Sequence, residues 1–430
     1  MSSAETRLDV IIFGATGFTG KHAVTEMIAL MKERPSLAWG ISGRSKPKLE
    51  ELLKTQAELT GEDLSKVSVV IADVQDSDSL REMASRARVV VNCVGPYRFF
   101  GEEVVKACIE RGAHHVDVSG EPQYMERMQL EYHAAAKEKG VYIVSACGFD
   151  SIPADLGVVF FSQKFKGQVN SVESYITCWS DVPNKGSSIH YGTWESAVHG
   201  VAHHGELPDL RRKLYPERLP QMKPTLKARN PLHKSAIVDA WCLPFPGSDR
   251  SVVYRSQRYF YENEKKRPIQ MRPYIQFNSF LTAIMTAFVA GIFLLMTKTQ
   301  FGRRLLLKHP KIFSFGSISH EGPSEESMKS LKFKMTFDLE GWSETLAEPT
   351  DNHTNAPNRR LIGEVTGTNP GYGATCIAVL LAGLTILDEA DKMPDKGGVY
   401  PPGAAFAKTS LVERLCKHGM NFEVTKEEEK

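Results

Sequence analysis

The chain has 430 residues, of which 42% are hydrophobic and 24% are charged, and this length favours two domains because a single core rarely exceeds about 300 residues. The hydrophobic content excludes intrinsic disorder, and 33 glycines and 23 prolines are too few for a fibrous protein. The 53 basic and 51 acidic side chains give a formal charge of only +2, which argues against nucleic acid as a partner.

The cysteines and the N-terminus indicate the cellular environment. The seven cysteines are odd in number and form no Cys-x-x-Cys pair, so we expect neither a disulfide framework nor a metal site. The first ten residues, MSSAETRLDV, lack the apolar region of a secretory signal. Both features favour a reducing, cytoplasmic environment.

The first predicted elements are a strand, a glycine turn and a helix. The apolar run at 8–13 is followed at once by GATGFTG at 14–20 and then by apolar residues at helical spacing. Such a turn lets the backbone approach a pyrophosphate, and the start of the helix offers free N–H groups. The GxxGxxG spacing is typical of NADP-linked Rossmann reductases. The predicted pyrophosphate cradle consists of Gly14, Thr16, Gly17, Phe18, Thr19 and Gly20.

The second predicted strand, at 37–42, bears on the choice of cofactor. An NAD-selective site would place an acid at the end of this strand to bind the ribose hydroxyl, but this chain has Arg44 and Ser45. A guanidinium and a hydroxyl suit a 2′-phosphate, so NADP(H) is favoured over NAD(H). The alternative is that Arg44 only caps a loop.

Four further strands, each ending in a polar or glycine-containing loop, complete a predicted parallel sheet. The third strand ends at Asp73, which we expect near the adenine, and the fourth opens into Gly95, Pro96 and Tyr97, which we expect near the ribose and nicotinamide. Because ligands bind beyond the carboxyl ends of parallel strands, the loops at 95–97, 120–121 and 148–153 should converge on one crevice.

The second half predicts a smaller α+β lobe with an antiparallel sheet. Strand-like alternation occurs at 171–179, 249–261, 329–340 and 359–367, and a helix is predicted at 192–203. From residue 371 an apolar helix is predicted to return to the first lobe. The predicted domains are therefore a Rossmann domain at 1–155, an α+β domain at 156–368, and a C-terminal helix and tail at 369–430.

An uncharged segment at 273–297 is unusual for a soluble enzyme. Its apolar core at 280–296 is long enough for a membrane helix, but basic residues flank it on both sides, whereas spanning helices concentrate them on one side. This favours a segment lying in one cytoplasmic leaflet over a buried interface helix or a true span. The basic run at 211–234 is a candidate second contact with anionic headgroups.

No catalytic motif of a hydrolase, kinase or metalloprotease occurs in the sequence. A Tyr-x-x-x-Lys match at 261–265 lies far outside the Rossmann region, and we regard it as chance. Candidate proton donors are therefore polar residues of the crevice loops and the second lobe. They are Tyr97, Glu121, Asp150 and His190, although the two carboxylates also suit a helix-capping role.

Several motifs together resemble a known family. GATGFTG at 14–20, SGRS at 42–45, NCVGPYRFFGE at 92–102, DVSGEPQ at 117–123, GFDSIPADLG at 148–157 and GGVYPPGAAF at 397–406 are similar to those of the animal branch of the saccharopine dehydrogenase family. The resemblance implies a Rossmann lobe, an α+β lobe, NAD(P)-linked oxidoreductase activity and association with lipid droplets or membranes. A related bacterial branch contains trans-acting enoyl reductases of glycolipid synthesis, which implies an acyl-type substrate.

The leading hypothesis is an NADP(H)-dependent oxidoreductase on the cytoplasmic face of lipid droplets or membranes, acting on a hydrophobic carbonyl or enoyl substrate. Alternatives are a non-catalytic nucleotide-binding scaffold on a lipid surface and a cytosolic saccharopine-type amino-acid dehydrogenase. A homodimer is a further possible assembly.

Overall fold

The computed structural model describes residues 7–182 and 186–429. Within this part, the chain forms two compact units. One comprises residues up to Phe149 together with Gly371–Tyr400 and Lys408–Leu411, and the other comprises Asp150–Pro370, Pro401–Ala407 and the C-terminal residues from Val412. The first six residues, which belong to the stretch predicted to lack a secretory signal, lie outside the described part.

The strands are β1 Leu8–Phe13, β2 Trp39–Gly43, β3 Ser68–Ile71, β4 Ala87–Asn92, β5 His114–Asp117, β6 Tyr142–Val144, β7 Gln168–Ser180, β8 Ile189–His190, β9 His233–Ser235, β10 Ala240–Pro244, β11 Gln270–Phe277, β12 Ile318–Ser319, β13 Leu331–Trp342, β14 Arg359–Thr368, β15 Gly398–Tyr400 and β16 Asn421–Glu429. The helices are α1 Phe18–Glu33, α2 Lys46–Thr60, α3 Ser77–Ser85, α4 Tyr97–Arg111, α5 Pro122–Lys139, α6 Ser151–Lys164, α7 Tyr191–Ala202, α8 Leu207–Leu214, α9 Asp249–Glu264, α10 Phe280–Thr297, α11 Gln300–Lys308, α12 Pro310–Phe313, α13 Glu325–Ser330, α14 Thr375–Glu389, α15 Pro402–Phe406 and α16 Leu411–Lys417.

The first unit is a Rossmann-type sheet with helices, as the sequence predicts. Its seven parallel strands run in the order β15-β6-β5-β4-β1-β2-β3. The central strand β1 is fully apolar at Val10, Ile11 and Ile12, which are completely buried. A strand buried on both faces needs such a continuous apolar run, and this explains why the sequence shows no alternation there.

The apolar helix α14 belongs to this first unit. It packs against α1, β4 and β5, and a Cβ on its Gly383 would lie 3.1 Å from Val89 Cγ1. Glycine at this position allows the helix to approach the sheet closely. The stretch 370–392 is apolar and long enough to pass for a membrane span, yet its span window is 83% buried, as expected for a core helix.

The second unit contains a mixed sheet in the order β16-β14-β13-β7-β11-β10-β9. The prediction of an antiparallel sheet is wrong at one pair, because β7 and β11 run parallel. The chain between them passes through two helices, a hairpin and a third helix, which is long enough for a parallel crossover. A two-stranded parallel sheet of β8 and β12 completes the strand pairings of this unit.

The predicted strand at 249–261 is also wrong, because these residues form most of helix α9. Its buried apolar residues, Val252, Val253 and Phe260, recur at helical rather than alternating spacing. Helix α9 packs against α6 and α15. Short apolar runs are ambiguous between the two periodicities, and tertiary packing decides between them.

Helix α6 packs against the mixed sheet through aromatic rings that fill gaps left by glycines. The Phe161 and Phe337 rings lie 5.2 Å apart. A Cβ on Gly363 would lie 2.3 Å from Phe161, and one on Gly157 would lie 2.6 Å from Phe337. Larger residues at either glycine would therefore push the helix off the sheet.

The uncharged segment at 273–297 divides between two elements. Residues up to Phe277 complete strand β11, so only Phe280–Thr297 forms the apolar helix α10. The α10 helix is long and apolar enough to cross a membrane by length and composition, and only 11% of its span window is buried. It is thus unlike α14, whose apolar residues form a core.

Candidate dinucleotide site and polar crevice

The glycine turn after β1 has the close packing that a pyrophosphate cradle requires. Gly14 has a φ of +80°, and a Cβ there would lie 2.6 Å from Val94 Cγ2. A Cβ on Gly20 would lie 2.1 Å from the Gly14 carbonyl oxygen. No side chain larger than hydrogen fits at either position, so the turn depends on both glycines.

The donors around this turn suit an anionic ligand. Lys21 N donates to Gly17 O (2.9 Å), which is the first bond of α1, so the amides of Phe18, Thr19 and Gly20 precede the helical hydrogen-bond ladder. No acidic residue lies in this first turn. The Ser42 carbonyl oxygen accepts from Gly14 N (2.9 Å). The hydroxyl oxygen of the same residue, Oγ, is buried and has no hydrogen-bond partner among the described residues. These features fit a dinucleotide phosphate.

The ring of Tyr372, which lies just before α14, packs beside the glycine turn. The Tyr372 ring lies 4.6 Å from that of Phe18 and 5.4 Å from that of His22. Nearby, Cys376 Sγ lies 3.4 Å from the Thr19 carbonyl oxygen. Sequence reasoning missed these contacts because about 350 residues separate the partners, and no local pattern joins them.

Arg44 and Ser45 lie where the cofactor prediction requires a 2′-phosphate site. Strand β2 ends at Gly43, and Ser45 is the N-cap of α2 with no side-chain capping bond. The exposed Arg44 forms no ion pair or hydrogen bond with any residue in the described ranges. The alternative role in capping a loop therefore finds no contact to support it, and both side chains remain available for a phosphate.

Asp73 is partly engaged in its own turn. Its Oδ1 accepts from Gln75 N (3.0 Å), and its backbone N donates to Ser79 Oγ (3.0 Å). Both bonds fix the loop after β3, and neither of them involves the second carboxylate oxygen, Oδ2. Contact with the adenine stays a prediction.

The loop at Gly95, Pro96 and Tyr97 lies beside Glu121, as the crevice prediction requires. The contact between them is a pair of hydrogen bonds from backbone amides to the Glu121 carboxylate. The two Glu121 carboxylate oxygens accept from Tyr97 N and Arg98 N, each at 2.9 Å. Glu121 thus caps the first turn of α4, where an anion also complements the helix dipole. Of the two roles predicted for this carboxylate, helix capping is the one that the structure shows.

Tyr97 points into the protein beneath this loop. Its hydroxyl donates to the Asn92 carbonyl oxygen (2.9 Å), and the side chain is buried. Burial, reinforced by the Asp117 carboxylate, raises the pKa of Tyr97 well above its ordinary value. A phenol held in this way is a poor proton donor, so its predicted catalytic role finds no support in this geometry.

A buried polar network that sequence reasoning missed supports the carboxyl ends of β5 and β6. Asp117 Oδ2 accepts from Tyr124 OH (3.1 Å) and Ser145 Oγ (2.8 Å), while Oδ1 accepts from Ser119 N (2.9 Å) and Ala146 N (3.2 Å). Burial nevertheless raises the pKa of Asp117 to about 6. The network fixes the loop that follows β5.

Asp150 is the candidate acid in the most unusual setting, and it begins the second unit. Its φ of +73° and ψ of −72° are those of a strained γ-turn, which non-glycine residues rarely adopt. The following Ser151 Oγ lies 2.8 Å from Ser248 Oγ, which precedes Asp249. Burial raises the pKa of the Asp150 and Asp249 carboxyls, and repulsion by Asp150 raises the pKa of Asp249 further.

Asp249 is a second functional candidate that sequence reasoning missed. Its side chain is fully buried, and neither carboxyl oxygen has a hydrogen-bond partner among the described residues. It lies in the region predicted to be a strand, so its position beside Asp150 could not be foreseen. No group of three or more His, Cys, Asp or Glu residues in the described chain could hold a metal ion.

His190 has a local structural role in the second unit. It is the N-cap of α7, and its Nδ1 accepts from Gly192 N (3.0 Å). Burial lowers the pKa of His190, which favours the neutral form that can accept this bond. A catalytic role for His190 stays a prediction.

Comparisons with known proteins agree with this description. The model of the saccharopine dehydrogenase NADP binding domain matches residues 10–144. A human saccharopine dehydrogenase-like oxidoreductase is 43% identical over 430 residues, covering 99% of both chains. The chain belongs to the saccharopine dehydrogenase-like oxidoreductases. It is therefore an NAD(P)-dependent oxidoreductase with an NADP-binding domain, which confirms the predicted family and cofactor.

Two further likenesses concern location and fold. A Caenorhabditis elegans lipid droplet localized protein is 39% identical and covers 98% of this chain and 99% of its own. The apo saccharopine dehydrogenase (L-Glu forming) of Saccharomyces cerevisiae has a TM-score of 0.53 at 12% identity, covering 97% of this chain and 100% of its own. The second likeness confirms the fold alone.

Proposed function

We propose that this oxidoreductase uses NADPH to reduce a hydrophobic carbonyl or enoyl group of a lipid, while attached to the cytoplasmic surface of a lipid droplet or membrane. The observation that carries the proposal is the exposure of α10 in a chain whose other long apolar helix, α14, is buried. The name of the Caenorhabditis elegans relative supports the location.

The lipid-binding surface consists of one face of α10. Leu281, Met285, Phe288, Ile292 and Leu295 recur every three or four residues, and all are exposed, with Phe288 and Leu295 each 66% accessible. Contiguous apolar surface of this extent on a soluble protein marks a binding site for another apolar surface.

Residues outside this face of α10 pack against α7 and β10 of the same unit, which supports attachment rather than crossing. The Trp194 ring lies 5.0 Å from that of Phe293, and the Trp241 ring lies 4.6 Å from that of Phe280. A spanning helix needs lipid or membrane protein along its whole length, whereas these contacts hold α10 against a water-soluble sheet and helix. We infer that α10 lies in the plane of one leaflet.

Helices α11 and α12 and the turn that follows them extend this surface with apolar and basic residues. Phe301, Ile312 and Phe315 are exposed, as are Arg304 and Lys308. Aromatic and aliphatic side chains beside lysine and arginine suit the boundary between acyl chains and anionic headgroups. This arrangement accounts for the basic residues that follow the apolar helix.

The residues suit a reductase in the following way. NADPH supplies a hydride when it is bound. The glycine turn and the first amides of α1 would bind the pyrophosphate, and Arg44 and Ser45 would bind the 2′-phosphate. Of the four candidate acids, Asp150 best suits proton donation, because its raised pKa keeps part of the population protonated at neutral pH.

Attachment and activity can be tested in the same preparation. Replacing Phe288 and Leu295 with Asp should abolish flotation with phosphatidylcholine vesicles, since each loses about 1.5–3 kcal/mol of apolar burial. The matched control is Leu59→Asp, because Leu59 is 71% exposed in the first unit. Full flotation of the double variant would refute attachment through α10.

Turnover is measured as loss of NADPH fluorescence on addition of vesicles made from a lipid extract. Wild type should oxidise NADPH, and the α10 double variant should lose this activity while keeping its NADPH dissociation constant. Asp150→Asn should lower the rate without changing flotation. Binding of NADPH with no oxidation by any lipid class would contradict the proposed reduction.

A further inference from the structure

A polar pocket lies in the second unit where strands β13 and β14 are joined; we call it the hairpin pocket. It is lined by residues 342–344, 353–355 and 358, which belong to the end of β13 and to the connection that leads to β14. The pocket has a volume of about 80 Å³. This is smaller than the roughly 300 Å³ of pockets for drug-sized ligands, so it suits a single small ring or headgroup.

Two stacked rings, those of Trp342 and His353, contribute to the wall of the pocket. Their centroids lie 3.8 Å apart with an angle of 8° between the planes, and the Arg267 guanidinium lies 5.4 Å from the centre of the Trp342 ring. Trp342 Nε1 donates to the Asn355 carbonyl oxygen (2.9 Å), and His353 Nε2 lies 2.6 Å from Gln168 Oε1. Burial and the Arg267 charge lower the pKa of His353, so its ring is uncharged at neutral pH. These contacts fix both rings.

A second pair of residues, Ser343 and Asn358, joins the two sides of the pocket. Asn358 Oδ1 accepts from Ser343 N (3.0 Å), and Asn358 Nδ2 donates to Ser343 Oγ (3.1 Å). The Ser343 hydroxyl is therefore an acceptor toward Asn358, and no described residue accepts its proton. That proton remains available to a ligand.

Three further side chains of the pocket are not engaged with the protein. The Glu344 carboxylate, the Thr354 hydroxyl and the Asn355 side-chain amide form no hydrogen bond or ion pair within residues 7–182 and 186–429, and all three residues are exposed. A carboxylate only accepts hydrogen bonds, whereas a hydroxyl and an amide both donate and accept. The pocket therefore offers donors and acceptors together beside two rings.

This combination of groups selects the chemistry of the ligand. An anion is disfavoured, because Glu344 makes the pocket negative. A cation would pair with Glu344 but would leave the donors of Ser343 and Asn355 without an acceptor. A ligand with several hydroxyl groups can satisfy all of these side chains at once, while its C–H groups pack on the rings.

We infer that the hairpin pocket binds an uncharged polyhydroxylated ring, a sugar or a cyclic polyol, either as a free molecule or as the headgroup of a lipid. None of its residues belongs to the glycine turn, to the Asp150 region or to α10. The pocket would bind such a ring even in a chain that had neither reductase activity nor attachment through α10.

Binding of the free ring is measured by isothermal titration with glucose, galactose, N-acetylglucosamine and myo-inositol, using the full chain saturated with NADPH so that the cofactor site is filled. Binding of a headgroup is measured by flotation with phosphatidylcholine vesicles, with and without a galactosyl diacylglycerol. The test variants are Asn355→Ala and Glu344→Gln, which remove no contact with a described residue and should leave the fold intact. The matched control is Asn352→Ala, because Asn352 is exposed in the same connection but does not line the pocket.

A soluble ligand predicts that at least one of the four probes binds the wild type, that Asn355→Ala weakens it about fivefold, and that Glu344→Gln weakens it about tenfold. A headgroup predicts instead that both test variants lose only the extra flotation due to the galactosyl lipid. In both cases Asn352→Ala should match wild type.

Two results would overturn the inference. One is that no probe binds in the titration and the galactosyl lipid adds no flotation. The other is that binding occurs but the test variants and Asn352→Ala behave alike, which would place the ligand elsewhere. Flotation with phosphatidylcholine alone reports on α10 separately, so failure of the pocket and failure of α10 attachment are distinguishable.

Discussion

Gly20→Ala is expected to impair NADPH binding without unfolding the first unit. The added Cβ would lie 2.1 Å from the Gly14 carbonyl oxygen and 2.7 Å from Ala15 Cα. An ordinary contact needs about 3.4 Å, so the turn and the start of α1 must separate by roughly 1 Å. Overpacking of this kind costs about 1–3 kcal/mol, and here the atoms that must move are the backbone of the predicted phosphate cradle.

The cost should appear as a dissociation constant for NADPH raised about tenfold or more, since 1.4 kcal/mol corresponds to a factor of ten. Fluorescence titration measures this constant, and thermal unfolding without cofactor measures the stability separately. Gly200→Ala is the matched control, because a Cβ there meets nothing within 4 Å. Wild-type affinity in Gly20→Ala would refute the assignment of this turn to the pyrophosphate.

Three further outcomes follow from single residues. Arg44→Asp should weaken NADPH binding by about tenfold or more in the same titration and leave NADH binding nearly unchanged, since only NADPH carries the 2′-phosphate. Glu121→Gln should lower the free energy of unfolding in urea by about 1–2 kcal/mol, because one of its two amide contacts at 2.9 Å is lost. Burial raises the pKa of Asp155 from 3.8 to about 7. The contribution of this carboxyl to the free energy of unfolding is therefore largest below pH 4, and it falls by about 4 kcal/mol as pH rises to 7. Asp155→Asn should remove that decline from the urea curves, and an unchanged pH slope would show that the carboxyl ionises as freely as in the unfolded chain.

Local patterns explain which features were predicted correctly. The glycine turn, the six strands of the Rossmann sheet at 8–144 and the exposed apolar helix each depend on spacing within about twenty residues. A glycine spacing specifies the turn because no other residue fits its backbone. In α10, the absence of charge over a long run already distinguishes it from an ordinary surface helix.

Features that depend on distant contacts could not be predicted in this way. Tyr372 covers the glycine turn from the opposite end of the chain, and the Asp117 network joins side chains from separate strands. The strand prediction at 249–261 failed because so short an apolar pattern is ambiguous between helix and strand, and the packing of α9 against α6 and α15 decides for the helix.

That single misassignment also concealed the buried carboxyl of Asp249 in the second unit. As a strand, 249–261 would alternate its side chains between two faces, and its sequence would not indicate that Asp249 lies beside Asp150. As the first turn of α9, the same residues place the buried Asp249 carboxyl beside Asp150, while the side chain of the next residue, Arg250, is exposed. A helix end can bury one residue and expose the next because it joins core to surface. The candidate acid pair of Asp150 and Asp249 is therefore a consequence of where one helix starts.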